Sequence, residues 1–370
     1  MIDSKFGFYE AMGQTVSHKL SAFNMTVSLG HWPHWNFNEQ VFSKYTWSIE
    51  PTESLEELYR HRAQSIRDRY DYVIISYSGG ADSHNVAESF VRNGLRIDEL
   101  VNRFSGNKID TSRRDRSPDN QANEAVWAAT PGYQRLCSLQ PDLKMTRWDW
   151  SEDLVNEWAV APKSIYDINY PSPNAHIKHR LLEKCHAPLG SKVVVVYGVD
   201  KPHITYENGH FYMSFMDEIV HGQTAWMDHD ASGSDCELFY WSPESIKLLI
   251  KQGHVVKKWF QSHPEMLWLL SPGHPNRQLY YDIVNSLVYP WHDPQIWQCF
   301  KQSTRFFTLE ESWFINHPEH KSSLAWRKVL ADLDNEVTSM YKSVTDLRPT
   351  EEAGNHILPG CYSRLYDLGI

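Results

Sequence analysis

Two segments constrain the fold most. Asp71-Tyr-Val-Ile-Ile-Ser-Tyr77 and Lys192-Val-Val-Val-Val-Tyr197 are short, nearly continuous apolar runs rich in β-branched residues. A strand with one wet face alternates apolar and polar side chains, so unbroken runs of this kind fit strands buried on both faces. Helix and strand signals take turns around them. A helix over Leu55 to Arg69, with a capped start at Thr52-Glu-Ser54, leads into the first run. After a glycine turn at Gly79-Gly80, Asp82 to Asn93 carries Val86, Phe90 and Val91 at helical spacing, and Gly94 supplies a C-cap. Glu99 to Phe104 reads as a strand, Ser105 to Asn120 as a polar loop, Asn123 to Leu136 as a helix and Lys144 to Trp150 as a third strand. A helix over Asn174 to Cys185 precedes the second long run. The expected fold is α/β, a parallel sheet with helices on both faces, with ligands at the carboxyl ends of its strands.

Beyond Asp200 the texture changes. Polar and apolar residues alternate from His203 to Phe215 around an Asn208-Gly209 turn, which predicts a hairpin. Pro243 to Tyr341 reads as mainly helical, and its last helix places Trp326, Leu330, Leu333, Val337 and Tyr341 on one face. The 370 residues then divide into an aromatic lead-in and helix (1–69), an α/β domain (70–205), a hairpin-containing connector (206–240), a helical region that would cover the site (241–345) and a tail (346–370) whose structure the sequence leaves open. Glu237-Leu-Phe-Tyr-Trp-Ser-Pro243 is expected to pack the helical region on the sheet. The 15 Trp run from Trp32 to Trp326 without clustering, a distribution that fits core filling better than a platform for stacking bases.

Composition narrows the function. With 36 basic against 46 acidic side chains the formal charge is −10, so nucleic acid is not a favoured partner, a local basic patch aside. The longest apolar runs fall far short of the roughly 20 residues needed to span a bilayer, and Met1-Ile-Asp-Ser-Lys-Phe6 lacks the basic-then-apolar pattern of a secretion signal. Five scattered cysteines, Cys137, Cys185, Cys236, Cys299 and Cys361, form no Cys-x-x-Cys pair. A reduced, cytoplasmic protein without a zinc ribbon is the expectation.

The chemistry points to Ser78-Gly79-Gly80-Ala81-Asp82-Ser83, between the first buried strand and its helix. Two glycines let backbone approach an anion closely, consecutive N–H groups make a concave donor set, and the helix N-terminus adds a favourable dipole. Phosphate suits such a cradle, with hydroxyls from Ser78 and Ser83. Asp82 would repel a bare phosphate, which argues for a bridging Mg²⁺ held by one or two carboxylates plus phosphate oxygens. The plainer alternative is a tight strand-to-helix turn in which Asp82 is a first-turn acid favoured by the dipole.

Ser-Gly-Gly-x-Asp-Ser after the first strand resembles the PP-loop of the ATP pyrophosphatase (adenine nucleotide α-hydrolase-like) superfamily, a HUP or Rossmann-like fold that includes PAPS reductase-like and asparagine synthetase-like proteins. The resemblance covers residues 70–205. Neither the Walker phosphate loop nor the Gly-x-Gly-x-x-Gly dinucleotide motif occurs. The resemblance implies that Ser78, Gly79, Gly80, Ala81, Asp82 and Ser83 hold the β- and γ-phosphates of ATP with Mg²⁺. A substrate oxygen then attacks the α-phosphate, pyrophosphate leaves, and a nucleophile displaces AMP. Ser76 and Tyr77, with Arg103 to Ser105 and so Phe104, would flank adenine. The turn Tyr197-Gly198-Val199-Asp200-Lys201-Pro202 fits the same reading: Lys201 could neutralise charge at the α-phosphate as a catalytic group with Asp82, and Asp200 could share the metal. A solvated turn with an incidental Asp-Lys pair is the alternative.

Weaker candidates are the loop cluster Arg113-Arg114-Asp115-Arg116, which would clamp an acidic group or stay solvated, and His176, Lys178, His179 and Arg180 on the helix before the second run. His221, Asp228, His229 and Asp230 could suit a metal but read better as a solvated loop. His317-Pro-Glu-His320 does not match the His-Glu-x-x-His protease motif.

Within the superfamily, Cys361 lacks the acidic-Cys-Gly-like setting of the sulfate-nucleotide reductases, and Ile2 stands where glutamine-dependent synthetases carry a nucleophilic cysteine. The expectation is an ATP-dependent adenylating enzyme acting on a small molecule, with ammonia or an amine delivered from elsewhere and room for a homodimer. The alternatives are a reductase or sulfur-transfer relative using Cys361 or Cys236, and a non-catalytic nucleotide-binding module.

Overall fold

The computed structural model describes residues 4–104, 123–160, 181–217, 220, 234–271, 276–293, 314, 316–341 and 360–370. Strands run β1 (Phe8–Ala11), β2 (Gln14–Val16), β3 (His34–Asn36), β4 (Tyr72–Ser76), β5 (Glu99–Phe104), β6 (Lys144–Asp149), β7 (Val193–Tyr197), β8 (His203–Glu207), β9 (His210–Ser214), β10 (Ser234–Leu238) and β11 (Tyr366–Gly369). Helices run α1 (Lys19–Thr26), α2 (Glu39–Phe42), α3 (Leu55–Arg69), α4 (Ala81–Val91), α5 (Thr130–Cys137), α6 (Ser151–Val160), α7 (Ile246–Ser262), α8 (Arg277–Val288) and α9 (Lys321–Tyr341).

Among the described residues, the central sheet has five strands in the order β10-β7-β4-β5-β6, and every pair is parallel. The two apolar runs are the adjacent interior strands β4 and β7, and every residue of Val193–Tyr197 is buried. An α/β fold with a parallel sheet is therefore present. The chain builds outward from β4 through β5 to β6, then crosses back to place β7 on the other flank of β4. Connections leaving β4 and β7 at their carboxyl ends consequently diverge, which opens the crevice where sheets of this type receive ligands.

Local chemistry accounts for the elements. Ser54 caps α3: its hydroxyl accepts from the Glu57 N–H at 3.2 Å while Glu57 Oε2 accepts from the Ser54 N–H at 2.8 Å. Asn208 (φ 50°) and Gly209 (φ 84°) close the β8-β9 hairpin in the left-handed region, as an Asn-Gly turn does. The dispersed Trp are largely core: Trp35, Trp158 and Trp241 are fully buried.

Three features depart from the sequence reading, and one supplies what it left open. The lead-in is not only a helix, since β2-β1-β3 form a small antiparallel sheet. The helix expected from Asn123 opens as a π-helical turn over Asn123–Ala129 before α5. The tail contributes β11, which pairs with β9. Most consequentially, β10 is the fifth strand of the central sheet, where the sequence indicated a connector. Its carboxylates obscure it in the sequence, yet each is matched from elsewhere: Asp235 by Lys5 at 2.9 Å, and buried Glu237 by Arg62 at 2.8 Å and Lys5 at 3.3 Å. Charged residues on an edge strand also discourage pairing with another sheet.

Candidate functional site

The register pairs Ser76 of β4 with Tyr197 of β7, so the turns that follow start side by side. The Ser78–Ser83 segment leaves β4 and feeds α4, while Gly198–Lys201 leaves β7. Two glycines let these pieces close up. Gly79 lies at φ +84°, and a Cβ there would meet the Ala129 backbone nitrogen at 2.2 Å. A Cβ on Gly198 would stand 3.0 Å from the Asp82 carbonyl group and the Ser83 nitrogen. The β7 turn is thus packed directly on the first turn of α4.

Hydrogen bonds fix the loop from within. Ser83 Oγ accepts from the Ser78 N–H at 3.2 Å and lies 3.2 Å from Ser78 Oγ, and Ser78 Oγ accepts from the Gly80 N–H at 3.1 Å. The N-cap of α4 is Gly80, which offers no capping side chain, so the first-turn amides have no side-chain acceptor at that position. Ala81 is buried beneath them.

Lys201 is the electrostatic centre. Its Nζ is 2.8 Å from Asp82 Oδ1 and 3.1 Å from Asp200 Oδ1, and it stands over the Tyr281 ring at 4.9 Å. Burial pulls the Lys201 pKa down, but Asp200 and Asp82 more than offset it and hold the ammonium above the ordinary lysine range. Among the described residues, two carboxylates stand against this one ammonium beside the loop. An anion entering here needs a further cation.

A magnesium ion fits that requirement. Asp82 and Asp200 both reach Lys201 Nζ, so they lie close enough together to be the one or two carboxylates that Mg²⁺ takes together with phosphate oxygens, beside the ammonium. Among the described residues no group of three or more His, Cys, Asp or Glu could hold a metal by itself, so phosphate oxygens would complete the set.

Three tyrosines absent from the sequence reading of the site surround Asp82. Tyr289, just past α8, donates to Asp82 Oδ1 at 2.5 Å; Tyr240, just past β10, donates to the Asp82 carbonyl at 2.8 Å; and Tyr281 is the ring beneath Lys201. Burial holds the Tyr240 and Tyr289 hydroxyls protonated far above neutral pH, with the Asp82 charge acting in the same direction. Tyr240 lies in the Glu237 to Pro243 stretch singled out for packing, whereas nothing in the spacing marks Tyr289.

The remaining expected residues are distributed as follows. Ser76 Oγ accepts from Arg103 Nη2 at 3.1 Å. Tyr77 is buried, with its hydroxyl 2.8 Å from His84 Nδ1, so its ring packs inward against α4. Phe104 ends β5 with the Arg147 guanidinium over its ring at 5.1 Å. Arg113 to Arg116, His176 to Arg180, His221, Asp228, His229, Asp230 and most of the helix expected over Asn174 to Cys185 lie outside the described residues. Cys236 and Cys361 are buried, and Cys361 borders a cavity of about 440 Å³ with Trp32, Pro33, His34, Gly360 and Tyr362, none of them in the loop. Among the described residues, no helix is long and apolar enough to cross a membrane.

No protein-family profile matches the chain, and no curated protein matches it. Among solved structures, the chain is similar to the E. coli tRNA N6-threonylcarbamoyladenosine dehydratase TcdA at 13% identity, covering 61% of this chain and 97% of that one, with a TM-score of 0.22. A score of this size establishes no common function, and the functional reading rests on the site.

Proposed function

We propose that the chain is an ATP-dependent adenylating enzyme of the ATP pyrophosphatase type. The observation that carries this reading is the Ser78–Ser83 loop at the point where the sheet order reverses, packed against a turn that delivers Lys201 to Asp82. Loop amides and the Ser78 and Ser83 hydroxyls bind the β- and γ-phosphates of ATP; Asp82 and Asp200 would hold Mg²⁺, which would supply a cation to offset the charge beside them. An oxygen of a small substrate attacks the α-phosphorus, the α–β bridging bond breaks, and pyrophosphate leaves with the electron pair. An amine or ammonia then attacks the activated substrate and AMP departs. Lys201 stabilises negative charge that builds up during the first step.

The chain works as a reducing-compartment, cytoplasmic protein in this reading. The buried state of Cys236 and Cys361 gives no support to sulfur transfer, because reactive thiols are exposed and electropositive in setting. The test is to incubate the full chain with Mg-ATP and the small-molecule fraction of a cell extract and to identify the AMP-linked compound by mass. An adduct formed by the parent and absent with Asp82→Ala supports adenylation. Saturable ATP binding with no α–β cleavage against any substrate pool would instead identify a nucleotide-binding module.

A further inference from the structure

Arg103, at the carboxyl edge of the sheet, carries a donor that is left without a partner. It is the penultimate residue of β5, two residues beyond Val101, which pairs with Ser76; Ser76 in turn pairs with Tyr197. Side chains two apart share a sheet face, so Arg103, Ser76 and Tyr197 lie together on one side. The guanidinium is clamped there: Nη2 donates to Ser76 Oγ at 3.1 Å, and the Trp150 and Tyr197 rings lie 5.5 and 5.9 Å from its carbon.

Nη1 is sealed from solvent without a hydrogen-bond partner, and among the described residues no carboxylate forms an ion pair with Arg103. Burial lowers its pKa from the usual arginine value, with Tyr197 acting weakly in the opposite direction, but a guanidinium stays charged in a protein. Arg103 as a whole is only partly buried, so a cation without a carboxylate partner among the described residues stands here with an edge open to an incoming anion. Lys201, on the other flank of β4, is already engaged by Asp82 and Asp200. The two cations are therefore not equivalent: Lys201 is held between two carboxylates, whereas Arg103 has no carboxylate partner among the described residues.

We propose that Arg103 is the receptor for the α-phosphate of the bound nucleotide, an inference that rests on the Ser78–Ser83 loop holding the β- and γ-phosphates. Its contact residue Ser76 precedes the loop by two strand positions, roughly 7 Å, so the next anion along the nucleotide falls within its reach. With Nη1 enclosed and Nη2 on Ser76, the phosphate would meet the remaining edge of the guanidinium, which the aromatic clamp holds in a single orientation before the ligand arrives.

The test is calorimetric titration of the full chain with Mg-pyrophosphate, AMP and Mg-ATP, for the parent, Arg103→Met and Arg103→Lys, alongside thermal unfolding without ligand. Pyrophosphate reports the loop alone and AMP reports the α-phosphate. Expected are a loss of AMP and ATP affinity of about tenfold to a hundredfold in Arg103→Met, pyrophosphate affinity within twofold of the parent, and partial recovery in Arg103→Lys. The ligand-free melting temperature of Arg103→Met should stay close to that of the parent, since Arg103 is partly exposed and forms no ion pair among the described residues. Unchanged AMP and ATP affinity in Arg103→Met, as a receptor for a substrate carboxylate would give, overturns the inference while leaving the loop reading intact. A lower melting temperature with unchanged AMP affinity overturns it in favour of a structural role. A parent that binds neither pyrophosphate nor ATP overturns the loop reading and the inference together.

Discussion

Lys201 Nζ stands 2.8 Å from Oδ1 of Asp82, tying the turn after β7 to the first turn of α4. The contact is almost dry, since the Lys201 side chain is 5% exposed and that of Asp82 14%. Removing one member of such a pair leaves the other charged and short of a partner. Asp82→Asn should destabilise the chain by about 2 kcal/mol, less than for an isolated buried pair because Asp200 remains, and should abolish Mg-ATP binding. Urea unfolding and nucleotide titration on the same preparation measure both effects.

Part of the acid sensitivity should originate on the edge strand beside β7, at Glu237. Burial raises its pKa, but Arg62 and Lys5 outweigh that and hold the carboxyl below the ordinary glutamate range. A carboxyl depressed on folding contributes stability above its unfolded pKa and loses it as pH falls toward the folded value. The Glu237 contribution to the urea midpoint should therefore be constant from neutral pH to about 5 and be lost below the unfolded glutamate value of about 4.3. Glu237→Gln should be less stable at pH 7 and show a shallower acid limb; an acid limb identical to that of the parent would remove Glu237 from the account.

Two glycines with the same backbone sign should respond differently to alanine. Gly79 at φ +84° has backbone 2.2 Å from where a Cβ would lie, whereas Gly209, also at φ +84°, has nothing within 4 Å. Gly209→Ala should cost about 1 kcal/mol, the strain of the left-handed region alone. Gly79→Ala adds overpacking against Ala129 and should cost about 2 to 4 kcal/mol with loss of ATP binding. Thermal unfolding of the two variants side by side tests the difference.

Tyr289→Phe removes the hydroxyl that donates to Asp82 Oδ1 at 2.5 Å and keeps the ring stacked on Tyr240. The loss of one hydrogen bond to a charged group should cost about 1.5 kcal/mol and leave Mg-ATP binding measurable, unlike Asp82→Asn. Loss of all binding would mean that Tyr289 acts on the ligand rather than through Asp82.

How much of this was legible depends on what each residue advertises. Asp71–Tyr77 and Lys192–Tyr197 declare themselves because an interior parallel strand needs apolar side chains on both faces, and the glycine-rich loop declares itself through residue types that few other turns require. β10 does not, since Asp235 and Glu237 look like surface residues until Lys5, Arg62 and Arg69 are brought to them from the N-terminal segment and α3. Tyr289 meets Asp82 across 207 positions, a proximity that only the packing of α8 on the sheet edge creates. Arg103 sat in plain view on β5, but its importance lies in a missing partner, which a sequence does not display.

The most direct test of the central claim follows the products of ATP in the presence of the small-molecule fraction of a cell extract. With ATP labelled at the α-phosphate, the account predicts pyrophosphate release equal to the sum of labelled adduct and labelled AMP, dependent on Mg²⁺ and absent in Asp82→Ala. Release of orthophosphate with labelled ADP, or turnover by Asp82→Ala at the parental rate, would contradict it.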